Sequence, residues 1–197
     1  MSATGRGAVR NEHDFYATPE DAFKPLLPTL RSVQADWFWE PACGDGRLCR
    51  WMNEAHLQAR GNDLIAGYDF LQDEADYPCI ITNPPFSLAF EFCQHAVNHA
   101  GHVFLLLRLN FLASGRRRSW FVEHEPDALF ILSDRPGFVM ACRCGLNKRH
   151  RWTLPIGSQR PKQCPECGHG KVIVSTSDAC EYAWYYWGRS HRGIHHL

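Results

Sequence analysis

The chain has 197 residues, 45% of them hydrophobic, and its 21 Lys and Arg balance 21 Asp and Glu. That length holds one α/β domain with its own core and a small appendage, and the neutral balance leaves the class of partner open. No apolar run approaches the roughly 20 residues of a membrane span, and the opening stretch MSATGRGAVRNEHD lacks the apolar centre of a secretory signal, so a cytoplasmic protein without a membrane segment is expected. Nine cysteines in a reducing compartment read first as metal ligands, core residues or catalysts rather than disulfides.

Residues 1–13 are polar and are expected to be flexible. DFYATPEDAFKPLLPTL (14–30) predicts a helix with Thr18 as N-cap and Pro19 in the first helical position. Phe23, Leu26 and Leu27 share one side of it, and Pro25 and Pro28 limit its regularity. ADWFWEPACGDGRLCRWMNEA (35–55) reads as strand, glycine-bearing turn and helix. QARGNDLIAGYDFLQD (58–73) reads as a short strand ending near Asp63, then a loop with Asp69. YPCIITNPPFSLAFEFCQHAVNHA (77–100) repeats strand, turn and helix, and HVFLLLRLNFLAS (102–114) is a strand buried on both faces. A helix over RRRSWFVEHEP, a strand in ALFILSDRPGF (128–138) and an aromatic strand in CEYAWYYWGRS (180–190) complete the alternation. Strands alternating with helices imply a Rossmann-like, doubly wound, mostly parallel α/β sheet.

Two turns carry candidate chemistry. EPACGDG (40–46) follows the first strand, where glycines let backbone approach a ligand at the carboxyl ends of the strands. Glu40 and Asp45 there would repel a pyrophosphate and favour a cationic ligand. Asp63, at the end of the second strand, is placed to accept from ribose hydroxyls. The second turn is NPPF (83–86). Asn-Pro alone is a common turn signal, but after the first turn and Asp69 it reads as a catalytic element. Prolines stop the ladder and stiffen the bend, so the Asn83 side-chain oxygen and the Pro84 carbonyl are held as two fixed acceptors. Phe86 adds an aromatic ring held rigidly beside them.

In that order, EPACGDG, DFL (69–71) and NPPF resemble the S-adenosylmethionine-dependent DNA adenine-N6 methyltransferases, and DFYATP, LLLRLNFLASGRRR and LSDRPGF further resemble their small phage-type members. The resemblance implies a class I methyltransferase sheet in a bacterial or phage-infected cell. It implies S-adenosylmethionine as cofactor and adenine N6 in DNA as target, reached by base flipping and methylated by direct in-line transfer. Asn83, Pro84, Pro85 and Phe86 would be the catalytic turn. Glu40, Pro41, Ala42 and Gly44 would line the cofactor pocket, together with Asn83. Asp63 would take the ribose, Asp69 the cofactor's adenine amino group and Phe70 its ring, with Tyr16 and Thr18 closing the methionine end. Tyr16 can equally be a packed aromatic. Asn-Pro-Pro-aromatic also occurs in enzymes acting on RNA or on protein glutamine, so an RNA adenine-N6 methyltransferase remains an alternative.

Residues 140–171 break the rhythm, and are expected to be an insert in a methyltransferase domain made of 1–139 and 172–197. Cys142, Cys144, Cys164 and Cys167 form two short knuckles suited to one tetrahedral, structural zinc, although Cys-x-Cys departs from the usual spacing and His150 or His169 can replace a ligand. Arg143, Lys148, Arg149 and Arg151 make the segment basic, as phosphate contact or as a solvated loop. Arg116 and Arg117 are a second candidate phosphate contact or a solvated helix surface. A zinc-ribbon nucleic-acid-binding protein with an inactive methyltransferase domain is the alternative from another class. Monomer and dimer are both compatible with the sequence. Cys43, Cys49, Cys79, Cys93 and Cys180 read as core residues, and YAWYYW (182–187) as packing for the last strands.

Overall fold

The computed structural model describes residues 17–136, 139–143, 151–152, 163, 171–175, 180–188 and 191–197. Of 139–143, 151–152 and 171–175 it describes the backbone path alone.

The chain enters through α1 (Glu20–Phe23), a 3₁₀ turn (Lys24–Leu26) and α2 (Leu27–Ser32). Pro25 and Pro28 each fall in the first turn of a new helical segment, where a missing N–H costs nothing, so the prolines divide the helix without stopping it. The helix starts one residue later than the sequence predicts. Pro19 holds the cap position with no side-chain cap, and Thr18 is buried just outside it. Next come β1 (Phe38–Glu40), α3 (Arg47–Glu54), β2 (Ala59–Gly61), 3₁₀ turns at Leu64–Ala66 and Phe70–Gln72, β3 (Tyr77–Thr82) and α4 (Ala89–His99). They are followed by β4 (Ala100–Arg108), a 3₁₀ turn (Leu109–Phe111), α5 (Arg118–Glu123) and β5 (Ala128–Ile131). β6 (Val139–Arg143), β7 (Arg151–Trp152) and β8 (Lys171–Ser175) precede β9 (Tyr182–Trp187) and β10 (Gly193–His196).

Seven strands form one sheet in the order β10-β5-β9-β4-β3-β1-β2. Every neighbouring pair is parallel except those made by β9, which runs antiparallel to both β4 and β5. The expected mostly parallel, doubly wound sheet is present. β6, β7 and β8 form a separate antiparallel sheet in the order β7-β6-β8, between β5 and β9 in the chain.

Period-two alternation sorts the central strands onto two faces. Cys79 and Ile81, Phe104 and Leu106, and Tyr182, Trp184 and Tyr186 join Phe23, Leu26, Leu30, Leu48 and Met52 under α1, α2 and α3. Ile80, Val103, Leu105, Leu107, Ala183, Tyr185 and Trp187 meet Phe92, Cys93 and Ala96 of α4 on the other side. The buried Trp184 indole donates to the Ala22 carbonyl at 2.8 Å, so the largest core side chain also ties β9 to the first helix. β9 is buried along its whole length and packs the sheet, as the sequence suggested for YAWYYW. Among the described residues, no helix is long and apolar enough to cross a membrane.

Candidate active site

β1 and β3 are adjacent and parallel, so the turns that leave their carboxyl ends emerge side by side. The first is built on left-handed backbone at Gly44 (φ 52°) and Gly46 (φ 69°), which a residue with a Cβ adopts only with strain. Gly46 caps α3, and its N–H closes the turn on the Cys43 carbonyl at 2.8 Å. β2 presses against this turn. A Cβ on Gly61 would lie 2.7 Å from Cys43 Cβ, 2.9 Å from Cys49 Sγ and 2.9 Å from the Glu40 carbonyl oxygen, so only glycine fits.

Asp63 stitches the second strand end to the first turn. Its Oδ2 accepts from the Gly44 N–H at 2.8 Å, while Oδ1 caps the following 3₁₀ turn through Ile65 N–H at 3.0 Å. Glu40 is 2% exposed, and burial drives its carboxyl well above the ordinary value, with Asp45 and Asp63 adding to the effect. The Cys49 thiol donates to Glu40 Oε2 at 3.1 Å and opposes that shift. The same surroundings push Cys43 up to about 11 and Cys49 further, so neither thiol is a ready nucleophile. Asp45 differs from the role expected of it, because Arg47 Nε holds both its oxygens at 2.9 and 2.8 Å. Of the three acidic side chains at the turn, Glu40 and Asp63 are not spent on Arg47. Pro41 is buried and Ala42 packs on the α4-side core.

Asp69 is exposed and caps its own 3₁₀ turn, with Oδ1 accepting from Leu71 N–H at 3.1 Å. The loop around it is anchored, since the Tyr68 and Tyr77 hydroxyls both donate to the Asp73 carboxylate and Trp39 Nε1 donates to Tyr68 Oη at 3.2 Å. Phe70 points the other way. It is 2% exposed, with its ring against Phe92 at 5.0 Å and His95 at 4.7 Å, so it lies in the core rather than on a ligand-facing surface. Leu64 and Ile65, directly after Asp63, are instead 65% and 61% exposed, apolar side chains that the sequence reading passed over.

The second turn leaves β3 at Thr82 and returns to helix at Ala89. Pro84 is buried, and Asn83, Pro85 and Phe86 are half-buried, with Asn83 Oδ1 itself buried. Leu88 N–H closes on the Pro85 carbonyl at 3.0 Å, which fixes the exit of the bend. The Arg108 guanidinium lies 4.9 Å from the Phe86 ring centroid and its Nε donates to Tyr182 Oη at 3.0 Å. Phe86, Phe90 and Phe111 then line a cavity of about 240 Å³ with Arg108, Arg116, Arg117 and Glu91. Thus Arg116 and Arg117 meet the Asn83–Phe86 turn at one cavity. Arg108 joins them, held from behind by the buried Tyr182; their buried-strand context hid both residues in the sequence.

Thr18 is buried beside α1, and Tyr16 lies outside the described residues. Cys142 and Arg143 end β6 and Arg151 begins β7, with their side chains outside the description. Cys144, Lys148, Arg149, Cys164 and Cys167 lie outside the described residues altogether. Among the described residues, no group of three or more His, Cys, Asp or Glu is placed to hold a metal ion.

No family model matches the sequence. No curated protein matches it either. Among solved structures, the chain is similar to the methyltransferase subunit of a type I restriction-modification system from Streptococcus thermophilus, with a TM-score of 0.51 and 11% identity over 88% of this chain. It spans 44% of the length of that subunit. Weaker similarities join 89% of this chain to 88% of a candidate RNA methyltransferase from Pyrococcus horikoshii (TM-score 0.49, 13% identity). A further one joins 88% of it to 93% of a precorrin-6y C5,15-methyltransferase from Geobacter metallireducens (TM-score 0.40, 11% identity). With its strand order, the first likeness shows that this chain has the Rossmann-like fold of the class I methyltransferases.

Proposed function

We propose that this protein transfers a methyl group from S-adenosylmethionine to the N6 amino group of adenine in DNA. The observation that carries the reading is the parallel pairing of β1 with β3, which puts the acidic glycine turn and the Asn83–Phe86 turn at the same end of the sheet, next to the arginine-lined cavity. The restriction-modification subunit that shares the fold belongs to a DNA-modifying system, which favours DNA over other acceptors.

The turn suits the proposed cofactor. Glu40 is a carboxyl raised first by burial and further by its acidic neighbours, and a cationic ligand beside it would stabilise its ionised form. Glu40, Ala42, Gly44 and Asp63 would hold that ligand, with Asp69 and the exposed Leu64 and Ile65 nearest its adenine end. S-adenosylmethionine supplies an electrophilic methyl carried on a sulfonium.

The protein's own part is positioning. An exocyclic adenine amine is a weak nucleophile because its lone pair is delocalised into the ring. Asn83 Oδ1 and the Pro84 carbonyl, accepting its two N–H bonds, draw the nitrogen towards tetrahedral geometry without a strong base. Asn83 Oδ1 is buried here, so the amide turns about χ2, a broad torsion, to meet the amine. Phe86 stacks the flipped base. Incubation with radiolabelled cofactor and duplex DNA, single-stranded DNA or RNA tests the reading. Label in DNA is expected, and preferred labelling of RNA overturns the choice of substrate.

The insert is read as a structural zinc ribbon. The register Arg143↔Lys171 sets the end of β6 beside the start of β8, and positions 144 and 167 lie one and four residues along the chain from that pair. Four thiolates suit tetrahedral zinc and leave no open coordination position for catalysis. Arg143, Lys148, Arg149 and Arg151 would then give the ribbon its hold on nucleic acid.

A further inference from the structure

The cavity beside Phe86 is built at the carboxyl ends of β3 and β4, and among the described residues its charge is lopsided: Arg108, Arg116 and Arg117 against Glu91. Its volume of about 240 Å³ falls below the roughly 300–1,000 Å³ of pockets that enclose a whole small molecule, so it suits a fragment of a larger ligand. Two of the guanidiniums are fixed before any ligand arrives. Arg117 Nε donates to the Phe111 carbonyl at 2.9 Å, and its guanidinium lies 4.1 Å from the Phe111 ring centroid. Arg108 is held by Tyr182 Oη and rests on Phe86. Neither Arg116 nor Arg117 forms an ion pair with a carboxylate among the described residues. Preorganised guanidinium forks on aromatic supports suit bidentate contact with the oxygens of a phosphate.

We infer that this cavity is a phosphodiester subsite, in which Arg108, Arg116 and Arg117 hold a backbone phosphate adjoining the target nucleotide. It rests on the reading that a polynucleotide is the substrate, and extends it by making Arg108 the link between phosphate and stacking ring. The held phosphate then fixes which nucleotide reaches Phe86.

The test is fluorescence anisotropy of the full chain with labelled duplex DNA, single-stranded DNA and RNA oligonucleotides over a range of salt. Wild type is compared with Arg117→Gln, the Arg116→Gln/Arg117→Gln double variant and Arg117→Lys. Each arginine removed should make the slope of log affinity against log salt shallower by about 0.7 to 0.9, while Lys at 117 keeps it. The oligonucleotide that shows this dependence identifies the source of the phosphate. Cofactor binding by calorimetry should be unchanged and reports an intact fold. A wild-type slope in the Gln variants, equal flattening by Lys and Gln at 117, or a wild type that binds none of the three oligonucleotides overturns the subsite. Arginine-dependent binding without any methyl transfer instead overturns the adenine methylation reading and leaves the subsite standing.

Discussion

Trp39 of β1 and Ile80 of β3 face each other across a parallel pair. One residue beyond Trp39 the chain enters the acidic turn at Glu40, and three beyond Ile80 it reaches Asn83. That register sets the acidic turn beside the Asn83–Phe86 turn at one end of the sheet. A shift of one residue would turn the Glu40 side chain to the opposite face of the sheet.

Asn83 is expected to act on turnover and not on cofactor binding. Asn83→Ala should lower kcat by roughly a hundredfold or more, the usual effect of removing one preorganised polar group from a reacting centre. Cofactor affinity measured by calorimetry should stay near wild type. Undiminished kcat would remove Asn83 from the chemistry.

Glu40 is expected to make stability, and the proposed cofactor binding, depend on pH. Burial raises its carboxyl well above the ordinary value of 4.5, so the folded protein keeps a proton that the unfolded chain releases. Its contribution is fully present below the unfolded value and is lost as pH rises through the folded one. Glu40→Gln keeps an acceptor for the Cys49 thiol. The variant should flatten the fall in unfolding free energy above about pH 4.5, measured by urea titration, while weakening S-adenosylmethionine binding.

Gly61→Ala tests the tight seam between β2 and the first turn. A methyl at 2.7 Å from Cys43 Cβ and 2.9 Å from the Glu40 carbonyl oxygen must move backbone. A loss of about 1–3 kcal/mol in stability is expected, with a rise in the cofactor dissociation constant because the displaced turn is the one proposed to bind it.

Trp184→Ala should be the costliest of these changes to stability. It empties a fully buried site and leaves the Ala22 carbonyl without its donor. Denaturant unfolding is expected to show a loss of about 3–5 kcal/mol.

Metal analysis of the purified protein should find about one zinc per chain, and chelation should weaken nucleic-acid binding or stability, since a segment this small has little core of its own. A metal-free protein that folds and binds normally would remove the ribbon.

The sheet was legible because its strands are apolar runs bounded by glycine and proline turns, and because Asn83-Pro-Pro-Phe86 is a stiff, local signal. β10 was not, since Gly193–His196 is a mostly exposed, polar edge strand with no apolar alternation to betray it. The resemblance put Phe70 against the cofactor's ring, whereas Asp69 caps a 3₁₀ turn and the Phe70 ring packs inward onto Phe92. Asp45 looked like free negative charge, and only the fold shows Arg47 closing on it. Arg108 ends a buried strand, and its place over Phe86 and against Tyr182 depends on the β3–β4 and β4–β9 pairings, which no local pattern encodes.

The central claim is tested most directly by nucleoside mass spectrometry of duplex DNA treated with the protein and isotopically labelled S-adenosylmethionine. The account predicts labelled N6-methyldeoxyadenosine from the wild type and almost none from Asn83→Ala. Label on another base, or equal labelling by the two proteins, would contradict it.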